Sequence, residues 1–247
     1  MECDETLDTA FDVGFQDGSA AERRTPLKSA CSTVRFEAVP SVRGFPSARG
    51  QRHFSGLYWS ASSARHVGFE SWLERDTAML LDFDPRVVAF ASQPFWLHWD
   101  DGRRMRRHAP DWFARLDDES GVVIDCRPPG RIGPRDQEAF DATARACAAV
   151  GWRFRLVGEV DRVQSLNLRW LAGYRHPRYQ GSEEVRARLS EVFAQPRELL
   201  DGAGEIADPL GVLPVLYHLL WTGVLRCDLA VPLSERRLVQ WSEGATW

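Results

Sequence analysis

Apolar and polar residues alternate along the chain in patterns that change several times, and each change marks an expected element. From Phe54 to Ser63 (FSGLYWSASS) aromatic and small residues alternate, which predicts a strand. Phe69–Phe83 (FESWLERDTAMLLDF) carries Leu73, Thr77, Leu80 and Leu81 at helical spacing and predicts a helix. Ser71, with Glu74 three positions on, has the spacing of a capping box. Asp84-Pro85 ends that helix, because the residue before proline is driven out of the helical region. Val87–Ala91 and Phe95–Trp99 read as strands divided by Ser92-Gln93-Pro94, and Asp100-Asp101-Gly102 reads as a hairpin turn. Two more strands are expected around Asp111–Leu116 and Val122–Ile124, joined by the acidic turn Asp117–Gly121. Helices are expected over 135–150 and 161–174, with a strand at Trp152–Val157 between them. The sum is an α/β layer fold with a central mixed sheet flanked by helices.

The flanking regions are patterned differently. Met1–Ala21 has six acidic residues, no Lys or Arg, and few core-forming side chains, so it reads as an acidic tail. Glu22–His53 reverses sign, with Arg23, Arg24, Lys28, Arg35, Arg43, Arg49 and Arg52. It is rich in Gly, Pro and Ser around one short expected strand at Val34–Val39. Such an arm can track phosphates or simply form a surface loop. Beyond Tyr174–Arg178 come expected helices at 183–193, 197–201 and 209–221. The last has Pro209 at its first position behind Asp208. A hairpin is expected from Leu225–Leu229 and Val231–Leu233. Three short helices and a hairpin resemble a winged helix-turn-helix, and the apolar third helix favours protein contact over base readout. The expected division is therefore an irregular arm over 1–53, a core over 54–176 and a winged-helix-like domain over 177–247.

Composition narrows the class without naming it. Hydrophobic residues make up 44% of the chain and charged residues 27%, as in ordinary globular proteins. The net charge of −4 does not announce a nucleic-acid partner, so any such role rests on local patches. Cys3, Cys31, Cys126, Cys147 and Cys227 form no CxxC pair, which favours reduced thiols in the cytoplasm. No apolar run spans a bilayer, and the first residues lack the basic start and apolar centre of a signal peptide, so no membrane partner is expected.

The candidate chemistry lies in PDWFARLDDESGVVIDCRP, residues 110–128. Asp125 and Arg127 are two apart at the end of a strand and share a face. Asp111 opens the neighbouring strand and comes beside them if the two pair. Two carboxylates and a cation at a sheet's end suit a divalent-metal phosphodiesterase. A surface ion pair between Asp125 and Arg127, with Asp111 merely opening a strand, fits the spacing as well. Glu74 is either the capping glutamate, which spacing alone favours, or a third acid pointing inward. Arg103, Arg104, Arg106 and Arg107 are the strongest candidates for phosphate contact, or a charged edge strand.

Glu74, Pro110-Asp111 and Asp125-x-Arg127 together resemble the PD-(D/E)xK pattern of restriction-endonuclease-like nucleases. The wording SWLERDTAMLLDFDPRVVAFASQP, then HAPDWFARL and GVVIDCRP, is similar to the TnsA-type endonuclease subunits of heteromeric transposases, over about residues 56–178. The resemblance implies a restriction-endonuclease-like core. It makes Glu74, Asp111 and Asp125 acidic, metal-binding positions, with the Cys126 backbone carbonyl as a further ligand, and Mg²⁺ or Mn²⁺ as cofactor. It also implies nicking of double-stranded DNA at the 5′ transposon ends, beside a DDE-type transposase and an AAA+ ATPase regulator. Arg127 stands where the family has lysine. Arginine stays cationic and grips phosphate oxygens but does not readily take a proton, and Lys28 is the only lysine in the chain. A nuclease outside transposition and a catalytically impaired scaffold are the alternative readings.

Overall fold

A computed structural model describes residues 11–17, 21–45 and 54–242. The chain is mixed α/β and divides into two compact units, residues 1–159 and 160–247. That division falls before the second of the two helices which the sequence pattern joined to the core, not near 176. No helix among the described residues is long and apolar enough to cross a membrane.

The first unit is built on two four-stranded sheets. One has the order β2 (Glu22–Pro26), β1 (Phe11–Gln16), β6 (Trp96–Asp100), β7 (Met105–His108), all antiparallel. The other has the order β10 (Arg153–Val157), β9 (Gly121–Cys126), β8 (Trp112–Leu116), β5 (Val87–Ser92), with only β9 and β10 parallel. Alternation along β8 and β9 sends side chains to two different cores. Trp112, Ala114, Val122 and Ile124 pack with Tyr58, Val67, Phe69 and Ala78, which belong to the hairpin β3 (Gly56–Ser60)–β4 (Arg65–Phe69) and to helix α2 (Trp72–Phe83). Phe113 and Val123 pack with Phe95, Trp152 and, from helix α3 (Pro134–Ala149), Ala142, Ala146 and Cys147. With both faces covered, β8 and β9 are buried along their whole length.

Two local devices hold this arrangement. Asp82, near the end of α2, accepts hydrogen bonds from Tyr58 Oη, Ser60 Oγ, Ala61 N, Ser62 N and Ser62 Oγ at 2.8–3.0 Å, tying the hairpin turn to the helix. At Gly121 a Cβ would lie 2.8 Å from the Trp152 ring and 3.0 Å from Phe113, so only glycine lets β9 begin where it does.

The structure corrects the reading of the N-terminal arm. Phe11–Gln16, expected in an acidic tail, is the strand β1, and Phe11, Val13 and Phe15 are core residues. Glu22–Pro26 is a strand, and helix α1 (Leu27–Thr33) follows it. Val34–Val39 is a turn and not a strand. It delivers Phe36 into the core, against Phe15, Phe95, Phe113 and Trp152. Glu2, Asp4, Glu5, Asp8, Arg49 and Arg52 lie outside the described residues.

The second unit contains α4 (Arg162–Leu171), α5 (Glu183–Val192), α6 (Leu199–Ile206) and α7 (Pro209–Trp221), with a small sheet of β11 (Arg197–Glu198), β13 (Leu238–Trp241) and β12 (Leu225–Arg226). Val231–Leu233 is not a strand. Asn167 holds this segment as a loop, donating to the Leu229 and Val231 carbonyls and accepting from Leu233 N.

Candidate active site

At the N-terminal end of α2 the first unit opens into a cleft of about 550 Å³, whose lining includes Glu74, Asp111, Asp125, Cys126, Arg127, His108, Arg107 and Trp96. Sequence reasoning placed Asp111 and Asp125 on adjacent strand ends, and the register explains how they meet there. The last paired residues are Trp112 and Ile124. Pro110 has no N–H to extend the ladder, and beyond the last pair two carboxylates accept the backbone N–H groups. Asp111 Oδ2 accepts from Cys126 N at 2.7 Å, and Asp125 Oδ1 accepts from Asp111 N at 3.3 Å. The turn between β5 and β6 fixes the same point from behind, since Gln93 N donates to the Asp111 carbonyl at 3.0 Å.

Glu74 enters from α2. Ser71 caps the helix by accepting from Glu74 N at 3.1 Å. The Glu74 carboxylate accepts in return from Ser71 Oγ and from Glu70 N, both at 2.7 Å. The capping role and the inward orientation therefore coexist in one side chain, which is 7% exposed.

The electrostatics are those of crowded acids. Desolvation, then the charges of Asp125 and Glu74, hold the Asp111 carboxyl well above the usual carboxylate range, against the Cys126 N–H and the more distant Arg127. Burial likewise raises Glu74, while its two hydrogen bonds oppose the shift. The Cys126 thiol is pushed up by burial and by Asp111, and it contacts Thr77 Oγ1 at 3.4 Å. It is a neutral core group, so only its backbone faces the chemistry.

The cations are distributed unevenly. Arg127 is half-exposed at the rim and reaches Asp136 on α3 at 3.3 Å. Arg107 lines the cleft with its guanidinium 4.4 Å from the centre of the Trp96 ring. Arg106 turns instead to Asp101 and Glu138. Arg103 and Arg104 form the exposed turn before β7, where their N–H groups bond to Asp101 Oδ1. Of the four arginines singled out, Arg107 alone lines the cleft.

Several cleft residues escaped the sequence reading. His108 Nε2 sits 2.9 and 3.0 Å from the two oxygens of Asp125, bridging the two sheets. Arg43 reaches Glu70 at 3.3 Å, and Arg131 joins the rim. The one signal for His108 was its place three residues before Asp111. In the sequence Arg43 is only one cation of the basic arm, with nothing to set it apart from its neighbours.

Among the described residues no three His, Cys, Asp or Glu side chains stand together as a ready-made metal set. Asp111 and Asp125 stand at the adjoining strand ends, and Glu74, whose oxygens also hold its cap, lines the same cleft. The donor chemistry of that pair fits a hard divalent cation. Two recessed carboxylates repel each other, no lysine stands among the cleft residues to neutralise them, and oxygen ligands suit Mg²⁺ or Mn²⁺. No protein-family model and no curated protein matches the chain.

Proposed function

We propose that the chain is a metal-dependent DNA endonuclease with a restriction-endonuclease-like core, the subunit of a heteromeric transposase that nicks the 5′ transposon ends. One observation carries this reading: Asp111 and Asp125 meet at adjoining strand ends, mutually repelling, inside a cleft rimmed by arginine. Asp111 and Asp125 would hold Mg²⁺ or Mn²⁺, with the Cys126 carbonyl and Glu74 as further oxygen donors. Such an ion supplies Lewis-acid chemistry, polarising the phosphoryl oxygen and making water a stronger nucleophile. Glu74 orients the attacking water, and its raised pKa suits it to accept a proton at a carboxylate oxygen. Arg107 and Arg127 offset the charge that grows on the phosphate. Arg127 does not serve as a base, so proton transfer falls to the carboxylates.

The last three helices of the second unit, α5 to α7, with the small sheet of β11, β13 and β12, support a winged-helix-like domain that contacts protein. A DDE-type transposase that cuts and joins the 3′ ends and an AAA+ ATPase regulator are the partners proposed. An impaired scaffold is the second reading, favoured by the Arg127–Asp136 pair and the missing lysine. Strand-specific cleavage mapping on transposon-end DNA, with and without the transposase, separates the two. Nicks confined to the 5′ ends and dependent on Mg²⁺ or Mn²⁺ support the nuclease. Stable assembly with the transposase but no nick at any metal concentration supports the scaffold.

A further inference from the structure

His108 takes no part in the reaction proposed above, yet its ring touches one of the two acids that would hold the metal. His108 Nε2 lies 2.9 Å from Asp125 Oδ1 and 3.0 Å from Asp125 Oδ2. A nitrogen almost equally close to both oxygens sits on the open side of the carboxylate, between its two arms. A chelating cation needs that same place. The nitrogen must carry its hydrogen there, because a bare lone pair would repel the oxygens, and the neutral and the charged ring can both supply it. The ring is also anchored. His108 pairs with Leu97 in the sheet, its ring meets the buried Phe140 ring edge-on at 6.1 Å, and its side chain is only 22% exposed. Asp125 Oδ1 accepts a further bond from Asp111 N at 3.3 Å. Asp125 therefore has one oxygen left to offer a cation, Oδ2, and only on its outer side.

Resting on the reading of this cleft as a metal site, we propose that His108 is a specificity-determining residue: by donating to both oxygens of Asp125 it closes the chelating side, so that the site admits Mg²⁺ or Mn²⁺ through single oxygens and disfavours Ca²⁺. Ca²⁺ gathers about six to eight oxygens and often takes a carboxylate through both of them. A Ca²⁺ ion chelated by Asp125 and the His108 N–H compete for one position. Mg²⁺ demands octahedral geometry and keeps several waters. The narrow bite of a chelating carboxylate does not span a right angle, so losing that mode costs Mg²⁺ little. A histidine bonded to a ligating carboxylate also fixes the direction its oxygens face.

The test titrates the full chain, freed of metal, with Mn²⁺, Mg²⁺ and Ca²⁺ chlorides in a calorimeter, so that binding is read without DNA. His108→Ala should open the chelating side and move the ratio of Ca²⁺ to Mn²⁺ affinity toward Ca²⁺ by roughly tenfold. His108→Gln puts an amide N–H near the same point and should hold the ratio within about threefold of wild type. Electron paramagnetic resonance of Mn²⁺-loaded wild type should show no nitrogen coupling, since the ring stays on the carboxylate. A His108→Ala protein with native circular dichroism and an unchanged ratio overturns the proposal. So does one that loses all three cations alike, which is what a merely structural histidine would give. A nitrogen coupling that His108→Ala abolishes overturns it too, because the ring would then be a ligand, and so does wild type that binds none of the three. Mg²⁺-dependent nicking by wild type with an unshifted ratio in His108→Ala removes the role of His108 and keeps the nuclease. A shifted ratio with no nicking under any metal does the reverse.

Discussion

The two ends of helix α2 hold their acids in opposite ways. At the C-terminal end Asp82 alone accepts five hydrogen bonds, from Tyr58, Ser60, Ala61 and Ser62. At the N-terminal end Glu74, Asp111 and Asp125 share the N–H or O–H of Glu70, Ser71, Cys126 and Asp111 together with the His108 ring nitrogen. They also bear each other's charge. Asp82 is finished as a structural element, since its lone pairs are taken and it holds two segments together. The cleft acids are under-supplied, and a cation is the partner that would complete them. Hydrogen-bond supply, more than burial, separates the structural acid from the candidate catalytic ones.

The sharpest way to break this comparison is to neutralise each side. Asp111→Asn and Asp125→Asn should lower metal-dependent nicking by roughly 10³-fold, measured as conversion of supercoiled to open-circular DNA. Both should remain folded, because an amide oxygen still accepts the N–H bonds. Asp82→Ala should act the other way. It removes the acceptor that five donors share and should cost about 3–5 kcal/mol of stability in urea denaturation.

A subtler contrast comes from pH. The Asp111 carboxyl has a folded-state pKa raised above its unfolded value, chiefly by desolvation. Its protonated form is therefore favoured by folding, and the stability it contributes is lost as pH rises through the folded pKa. Without metal, Asp111→Asn should melt higher than wild type at neutral pH, and the gap should shrink as pH falls through the raised folded-state value toward the ordinary carboxylate range. Added Mg²⁺ should raise the melting temperature of wild type and not that of the variant. An Asp111→Asn protein no more stable than wild type at neutral pH would remove the claim of crowding. The smallest effect is expected at the rim. Arg127→Lys keeps the charge and should change nicking by less than about tenfold, whereas Arg127→Ala should lose more, because Asp136 offers no cation in its place.

Much of this site is local, and to that extent it was legible. The Ser71–Glu74 spacing announces a cap, and a β-branched run after an acidic turn announces β9 with Asp125 at its end. What escaped is what depends on pairing across distance. Phe11, Val13 and Phe15 alternate like a strand, yet their acidic neighbours read as a tail until β6 supplies a partner, with Val13 opposite Leu97. Val34–Val39 has strand-forming residues, but the demand for Phe36 in the core bends it into a turn. His108 meets Asp125 only because β7 of one sheet reaches β9 of the other. No spacing in the chain encodes that contact.

Gly121 has a reach beyond its own neighbourhood. It sits four residues before Asp125 on a strand that advances about 3.3 Å per residue, so the two are roughly 13 Å apart. A methyl group at Gly121 would press on the Trp152 and Phe113 rings and displace the start of the strand. A slip of one place would turn Asp125 toward the helix and offer Cys126 to the cleft in its stead. The strand behaves as a ruler whose zero mark is set against an indole, so substitutions that fill this remote corner should silence the acid without touching it.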